Sequence, residues 1–153
     1  MARVREHAVT DDSDVAVASV AARELAVELG FPTVRCHELA VVASELASNI
    51  VKYGVRGTLR VEEVFDALRG PGLRITALDR GPPFRDFAMA CRDGFDDTGP
   101  LPPVGRVHRR GIGAGLGAVK RLSDEMGWEP TSGGKRVWAA RYLLPPGREI
   151  KGS

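Results

Sequence analysis

The stretch RRGIGAGLGAVKRLSD, from Arg109 to Asp124, decides how the rest of the chain is read. Glycines stand at 111, 113, 115 and 117, ahead of text with the composition of a helix. Alternating glycines strip the Cβ atoms from a short length of backbone. Main-chain N–H groups can then lie directly against a ligand, where a helix N-terminus favours negative charge. Glycine inside a helix is disfavoured by about 1 kcal/mol relative to alanine, so several in succession imply close approach of something else. Alone, the run implies an anion or nucleotide site, or simply a flexible loop.

The surrounding composition sets the class of protein. A chain of 153 residues fits one domain, and a domain of this size buries about two-thirds of its unfolded surface without metals or disulfides. Hydrophobic content of 43% and charged content of 27% are those of an ordinary globular protein. A formal net charge of +2 is too small to indicate nucleic acid or an acidic membrane surface as partner. Cys36 and Cys91 are the only cysteines, and two thiols in helix-like text imply a reduced, cytoplasmic setting. The N-terminal MARVREHAVTDDSD lacks the apolar core of a signal peptide, and the chain has no apolar run of about 18 residues for a membrane span.

Periodicity gives the order of elements. Arg3 to Val9 is expected as a strand, ended by Thr10-Asp11-Asp12-Ser13, a cluster of N-cap residues. A first helix is expected from about Asp14 to Leu29, with Val20, Leu25 and Leu29 on a shared face and Gly30 as its stop. A second helix, about Val34 to Tyr53, carries Leu39, Ala43, Leu46 and Ile50 as a core stripe. Leu59 to Phe65 and Leu73 to Leu78 read as an antiparallel hairpin turned at Arg69-Gly-Pro-Gly72. Residues 81–110 hold five of the ten prolines (Pro82, Pro83, Pro100, Pro102 and Pro103) and read as a functional lid or a disordered loop with one short helical patch, about Arg85 to Arg92. Helix is expected again from Gly113 to about Met126. Strands follow at Trp128 to Thr131 and Lys135 to Leu143. The single domain is expected to span residues 1–144, with 145–153 as a frayed tail.

Two polar motifs lie upstream of the glycines. On the second helix, Glu45 and Asn49 are four residues apart and share a face, with Glu38 and Lys52 beside that line. Asn supplies a hard carbonyl oxygen to Mg²⁺, which takes its other ligands from water and phosphate. Glu can orient or deprotonate a nucleophile. Read alone, the same four residues make an ordinary solvated helix face. Asp79, in Asp79-Arg-Gly-Pro-Pro83, closes the second hairpin strand. Its carboxylate could accept from an exocyclic amine, with Gly81 admitting a base to the backbone, or it could merely form a turn. His37 reads as an ordinary, partly buried histidine.

Together and in this order, the helix with ExxxN, the strand-end DxG and the run GxGxGLG resemble the ATP-binding fold of the GHKL superfamily (gyrase, Hsp90, histidine kinase, MutL). The resemblance covers roughly Arg3 to Leu143. SELASNIVKYG, ITALDRGPP and GIGAGLGAVKRLSDEM are most similar to the RsbT-type switch serine kinases, beside the anti-sigma factors. It implies an α+β fold: a two-layer sandwich whose mixed, mostly antiparallel sheet carries helices on one face. It also implies the roles. Glu45 would be the general base for a protein hydroxyl, Asn49 the Mg²⁺ ligand, and Asp79 the acceptor of the adenine amine with Gly81 beside the base. Arg110, Gly111, Gly113, Ala114, Gly115, Leu116 and Gly117 would surround the phosphates of ATP, Lys52 would reach a phosphate or pair with Glu45, and 81–110 would be the ATP lid. A basic cluster, Arg106, His108, Arg109 and Arg110, either neutralises charge developing on the γ-phosphate or attracts an acidic partner.

Two positions depart from the family pattern. Pro83 replaces the second glycine of DxGxG, fixing φ and removing an N–H. In the final hairpin, Ser132-Gly-Gly-Lys-Arg-Val137 is expected to put Arg136 where the family has a threonine beside the adenine-binding carboxylate. There Arg136 would pair with Asp79 and compete with adenine. The function implied is an ATP- and Mg²⁺-dependent serine/threonine protein kinase of a partner-switching pathway. Its substrate would be a STAS-domain protein, and a PP2C-type phosphatase or a sigma factor its further partner. The alternative is a nucleotide-dependent binding module with little or no kinase activity. Apolar residues of the first helix and hairpin serve either the core or a homodimer.

Overall fold

The computed structural model describes residues 2–53, 55–92, 95–96, 99–100 and 115–144. Strand β1 (Val4–Val9) leads into helix α1 (Asp12–Leu29) and helix α2 (Thr33–Tyr53). The hairpin β2 (Gly57–Asp66) and β3 (Gly70–Asp79) follows, then the short helix α3 (Phe87–Ala90) and the two-residue strands β4 (Phe95–Asp96) and β5 (Gly99–Pro100). Helix α4 (Leu116–Arg121) precedes a second hairpin, β6 (Glu125–Thr131) and β7 (Gly134–Tyr142).

Local chemistry sets the helix ends. The Asp11 side chain accepts from the backbone N–H groups of Ser13 and Asp14, while the Asp14 side chain accepts from the backbone of Asp11, a reciprocal capping box. At the other end Gly30, at φ +89°, takes a left-handed conformation that L side chains rarely adopt. Its N–H and that of Phe31 return to carbonyls of the last turn. Phe31 then tucks into the core at 7% exposure, fixing the turn from α1 into α2.

The five main strands run β1-β2-β3-β7-β6, and all four pairings are antiparallel, so the sheet is not mixed. Helices α1 and α2 pack on each other and cover one face, with α4 beside α2. Leu39, Ala43, Leu46 and Ile50 are all buried, as the α2 stripe predicts, and meet Leu59, Val61, Leu73 and Ile75 of the hairpin. On α1 the seam is built instead from Ala18, Ala21, Ala22, Leu25 and Ala26, and Val20 faces solvent. Small side chains let the two helix axes approach closely.

Several element boundaries differ from the sequence expectation. The first hairpin turns at residues 67–69, and Gly70, Pro71 and Gly72, expected as the turn, already pair with β2 as the start of β3. Helix α4 begins at Leu116 rather than Gly113. Helix α4 stops at Arg121 rather than near Met126, because Glu125 and Met126 already belong to β6. Backbone pairing with β7 outweighs the helical composition there: the Asp124 N–H reaches the Ala140 carbonyl, and the Asp124 carboxylate accepts from the Tyr142 N–H. Gly127 has no Cβ because the Trp138 indole occupies that space; an added Cβ would lie 2.3 Å from Cζ2. Nor is His37 partly buried; it is exposed on the outer side of α2. Of the expected lid, only 81–92 and the backbone of β4 and β5 fall among the described residues. The tail from 145 lies outside them.

Candidate nucleotide site

The site is built on the end of β3. Asp79 stands in register between Gly57 on β2 and Lys135 on β7, and is 5% exposed. Both flanking strands carry glycine where they pass this point. A Cβ on Gly57 would lie 2.2 Å from the Leu78 carbonyl oxygen, and one on Gly134 would lie 1.8 Å from that of Asp79. The missing side chains let three strands close tightly around one carboxylate.

Asp79 Oδ1 accepts from the backbone N–H of Gly81 at 2.7 Å, an Asx turn that folds the DxG motif back on itself. It also accepts from Lys135 Nζ at 3.0 Å, and the two side chains are 4% and 6% exposed. The Lys135 ammonium further lies 5.4 Å from the centre of the Phe84 ring. Phe84, Phe87 and Trp128 form a contiguous aromatic cluster, with centroids 5.0–5.9 Å apart. The segment after Gly81 is therefore pinned to β6 by ring contacts.

This geometry corrects the expected pairing of Asp79 with Arg136. Arg136 pairs in register with Leu78, points to the opposite face of the sheet and holds Glu129 at 2.8 Å. Side chains alternate across a strand, so a one-residue difference in alignment moves a cation from one face to the other. Lys135 is the partner of Asp79 that sequence reasoning missed. Counting inward by two from the apolar Val137 and Ala139 would have found it.

Helix α2 lies over β3 and against α4, bringing the other candidates to the same side of the sheet. Glu45 is buried at 2% exposure, Asn49 one turn on is half-buried, and Lys52 is exposed. Between them Ser48 is 3% exposed, and its hydroxyl has no hydrogen-bond partner among the described residues. Glu38 serves another purpose: Arg141 holds its carboxylate at 2.5 Å and also donates to the Leu122 carbonyl, tying α2 to β7 and to the end of α4. Of the glycine run, Gly115 takes φ +67° and caps α4, while Leu116 and Gly117 are buried in its first turn. Arg106, His108, Arg109, Arg110, Gly111, Gly113 and Ala114 lie outside the described residues.

A separate cleft of about 510 Å³ opens on the uncovered face of the sheet, lined by Arg60, Arg74, Thr76, Arg136 and Trp138 among others. Asp79 and Lys135 point to the other face, so the cleft is no part of this site. Among the described residues no cluster of three or more His, Cys, Asp or Glu is placed to hold a metal, and no helix is long and apolar enough to cross a membrane.

Comparison with known proteins bears on the family and the fold. The family profile described as "Histidine kinase-like ATPase domain" matches residues 8–141. The serine/threonine-protein kinase RsbT of Bacillus subtilis (strain 168) is 38% identical over 132 residues, which are 85% of this chain and 90% of that protein. Among solved structures, the RsbU and RsbW domains of Rv1364c from Mycobacterium tuberculosis superpose with a TM-score of 0.58 at 17% identity, covering 97% of this chain. The chain spans only 34% of that larger protein, and at this identity the likeness speaks for the fold alone.

Proposed function

The chain belongs to the histidine kinase-like ATPase family, among serine/threonine-protein kinases of the RsbT type, and on that premise we propose how its residues divide the work. Asp79 is the adenine-binding carboxylate, and one observation carries this reading. A buried carboxylate is held at a strand end by the Gly81 N–H, between strands that lack Cβ atoms beside it. That is a rigid acceptor suited to an exocyclic amine.

Glu45 is the general base, and Asn49 holds Mg²⁺. Phosphoryl transfer demands little covalent work from the protein; positioning and charge stabilisation carry most of the rate. When bound, Mg²⁺ would neutralise charge on the phosphates. A single Asn oxygen fits an ion whose other ligands are phosphate and water. Glu45 is buried on the face of α2 that also carries Asn49, a position that suits a group taking a proton from a hydroxyl. Gly115, Leu116 and Gly117, with Arg110, Gly111, Gly113 and Ala114 before them, line the phosphates, and Lys52 reaches toward them from α2.

The protein substrate is a STAS-domain antagonist or scaffold, and a PP2C-type phosphatase or a sigma factor is the partner engaged in turn. The test is transfer of label from γ-labelled ATP with Mg²⁺ to a STAS-domain protein, with Glu45→Ala beside the wild type. Transfer that survives Glu45→Ala removes Glu45 from the base role. Pro83 favours a second reading, because it fixes φ and removes an N–H at the start of the lid. In that reading the protein is a nucleotide-dependent binding module. Absence of transfer together with ATP-tightened partner binding selects it.

A further inference from the structure

The Lys135–Asp79 pair asks for an explanation beyond stability. Taking a lysine and a carboxylate out of water carries a desolvation penalty of the same order as the attraction it allows. The Gly81 N–H already satisfies one oxygen of Asp79, and a small hydroxyl on β7 would complete the turn at a lower desolvation cost. Yet β7 places an ammonium there, 3.0 Å from Oδ1. A lysine has three N–H donors. Oδ1 takes one, and no acceptor for the others is found among the described residues. On Asp79, both donors converge on Oδ1, and no described residue donates to Oδ2.

A buried acceptor and a buried donor thus sit side by side, each with capacity that no described residue takes up. Adenine carries the complementary order along its Watson–Crick edge: the exocyclic amine donates, and the adjacent ring nitrogen N1 accepts. Guanine carries the reverse, an accepting O6 beside a donating N1–H. We propose that Lys135 is a base-recognition residue, donating from Nζ to N1 of adenine while Asp79 accepts from the exocyclic amine. The pair then reads adenine at two adjacent atoms, and guanine opposes it at both, acceptor to acceptor and donor to donor. This rests on the assignment of Asp79 as the adenine-binding carboxylate. A site built to hydrogen-bond a ligand rejects an analogue lacking the partner atom, because a buried polar group is left unpaired. Lys135 is itself 5% exposed beside the Phe84 ring, and that burial keeps the penalty high.

The experiment is equilibrium binding, read by calorimetry or by Trp128 fluorescence. The ligands are ATP, GTP and 1-deaza-ATP, in which N1 is replaced by C–H. Against the wild-type protein, 1-deaza-ATP should bind about 10- to 100-fold more weakly than ATP, the range for losing one charge-assisted hydrogen bond. Lys135→Met should bind ATP and 1-deaza-ATP alike. Equal binding of the two nucleotides by the wild type overturns the proposal. So does a Lys135→Met protein that keeps the preference for ATP, or that binds ATP more tightly than the wild type does. Should Lys135→Met fail to fold, the wild-type comparison decides alone. Asp79→Asn separates the two layers of the reading. If ATP binding is absent, or indifferent to Asp79→Asn, the adenine assignment falls and the proposal with it. If binding depends on Asp79 but not on N1, only the role of Lys135 falls.

Discussion

Gly134 passes so close to Asp79 that a Cβ on the glycine would lie 1.8 Å from the aspartate carbonyl oxygen. The contact is backbone to backbone, so no side-chain rotation relieves it, and β7 must shift to accept any larger residue. Gly134→Ala should destabilise the protein by about 1–3 kcal/mol, the usual range for overpacking. It should also weaken nucleotide binding, because the shifted strand carries Lys135. Urea denaturation and ATP calorimetry on the same variant check both. Full stability with normal binding would mean that the strand end is looser than the close approach implies.

Removing one member of the buried ion pair should cost more than removing both. Asp79→Ala leaves the Lys135 ammonium buried without its partner, and breaking such a pair typically costs about 3–5 kcal/mol. Asp79→Ala combined with Lys135→Met should recover a large part of that loss. A double-mutant cycle in urea measures the coupling. Strictly additive losses would show that the pair is not coupled.

Glu45 is predicted to act in the chemical step rather than in binding. Glu45→Ala should lower the rate of phosphoryl transfer about 100- to 10,000-fold, the range for loss of a positioned general base. ATP affinity should stay within a few-fold of the wild type. Single-turnover transfer and equilibrium binding separate these effects, and a parallel fall in both would assign Glu45 to nucleotide binding.

The start of α1 should be acid-sensitive. The backbone N–H groups of Thr10 and Asp11 hold the Asp14 carboxyl below the ordinary carboxylate range. With the folded pKa lower than the unfolded one, the stabilisation is fully present above the unfolded value and is lost as pH falls through the folded one. The wild type should therefore lose stability relative to Asp14→Asn on acidification through and below that range, and the two curves should converge. Thermal melts of both proteins as a function of pH test the sign. A difference that widens toward low pH would contradict it.

Local spacing carried most of the fold and the placement of half of the candidate site residues. The α2 stripe and the stop at Gly30 follow from short-range chemistry, as does the turn after Asp79, and each is found where periodicity and capping place it. Glu45 and Asn49 were legible for the same reason: four residues on a helix share a face whatever the helix packs against. Less local features were not legible. Alanines rather than valines line the α1 seam, because the separation of two helices is settled only when both pack. Helix α4 ends at Arg121 because β7 recruits the next residues into a strand, a long-range pairing that helical composition cannot register.

By itself, the sequence determined that a carboxylate closes β3, that a helix with Glu45 and Asn49 precedes it, and that glycines precede α4. Which cation meets Asp79 was decided only by tertiary structure. Lys135 and Arg136 are neighbours with the same charge, and the register of β7 against β3 turns one toward Asp79 in the buried layer and the other toward Glu129 on the open face. Strand side chains alternate with a period of two, so pairing across the sheet, rather than composition, selects the residue that enters the site.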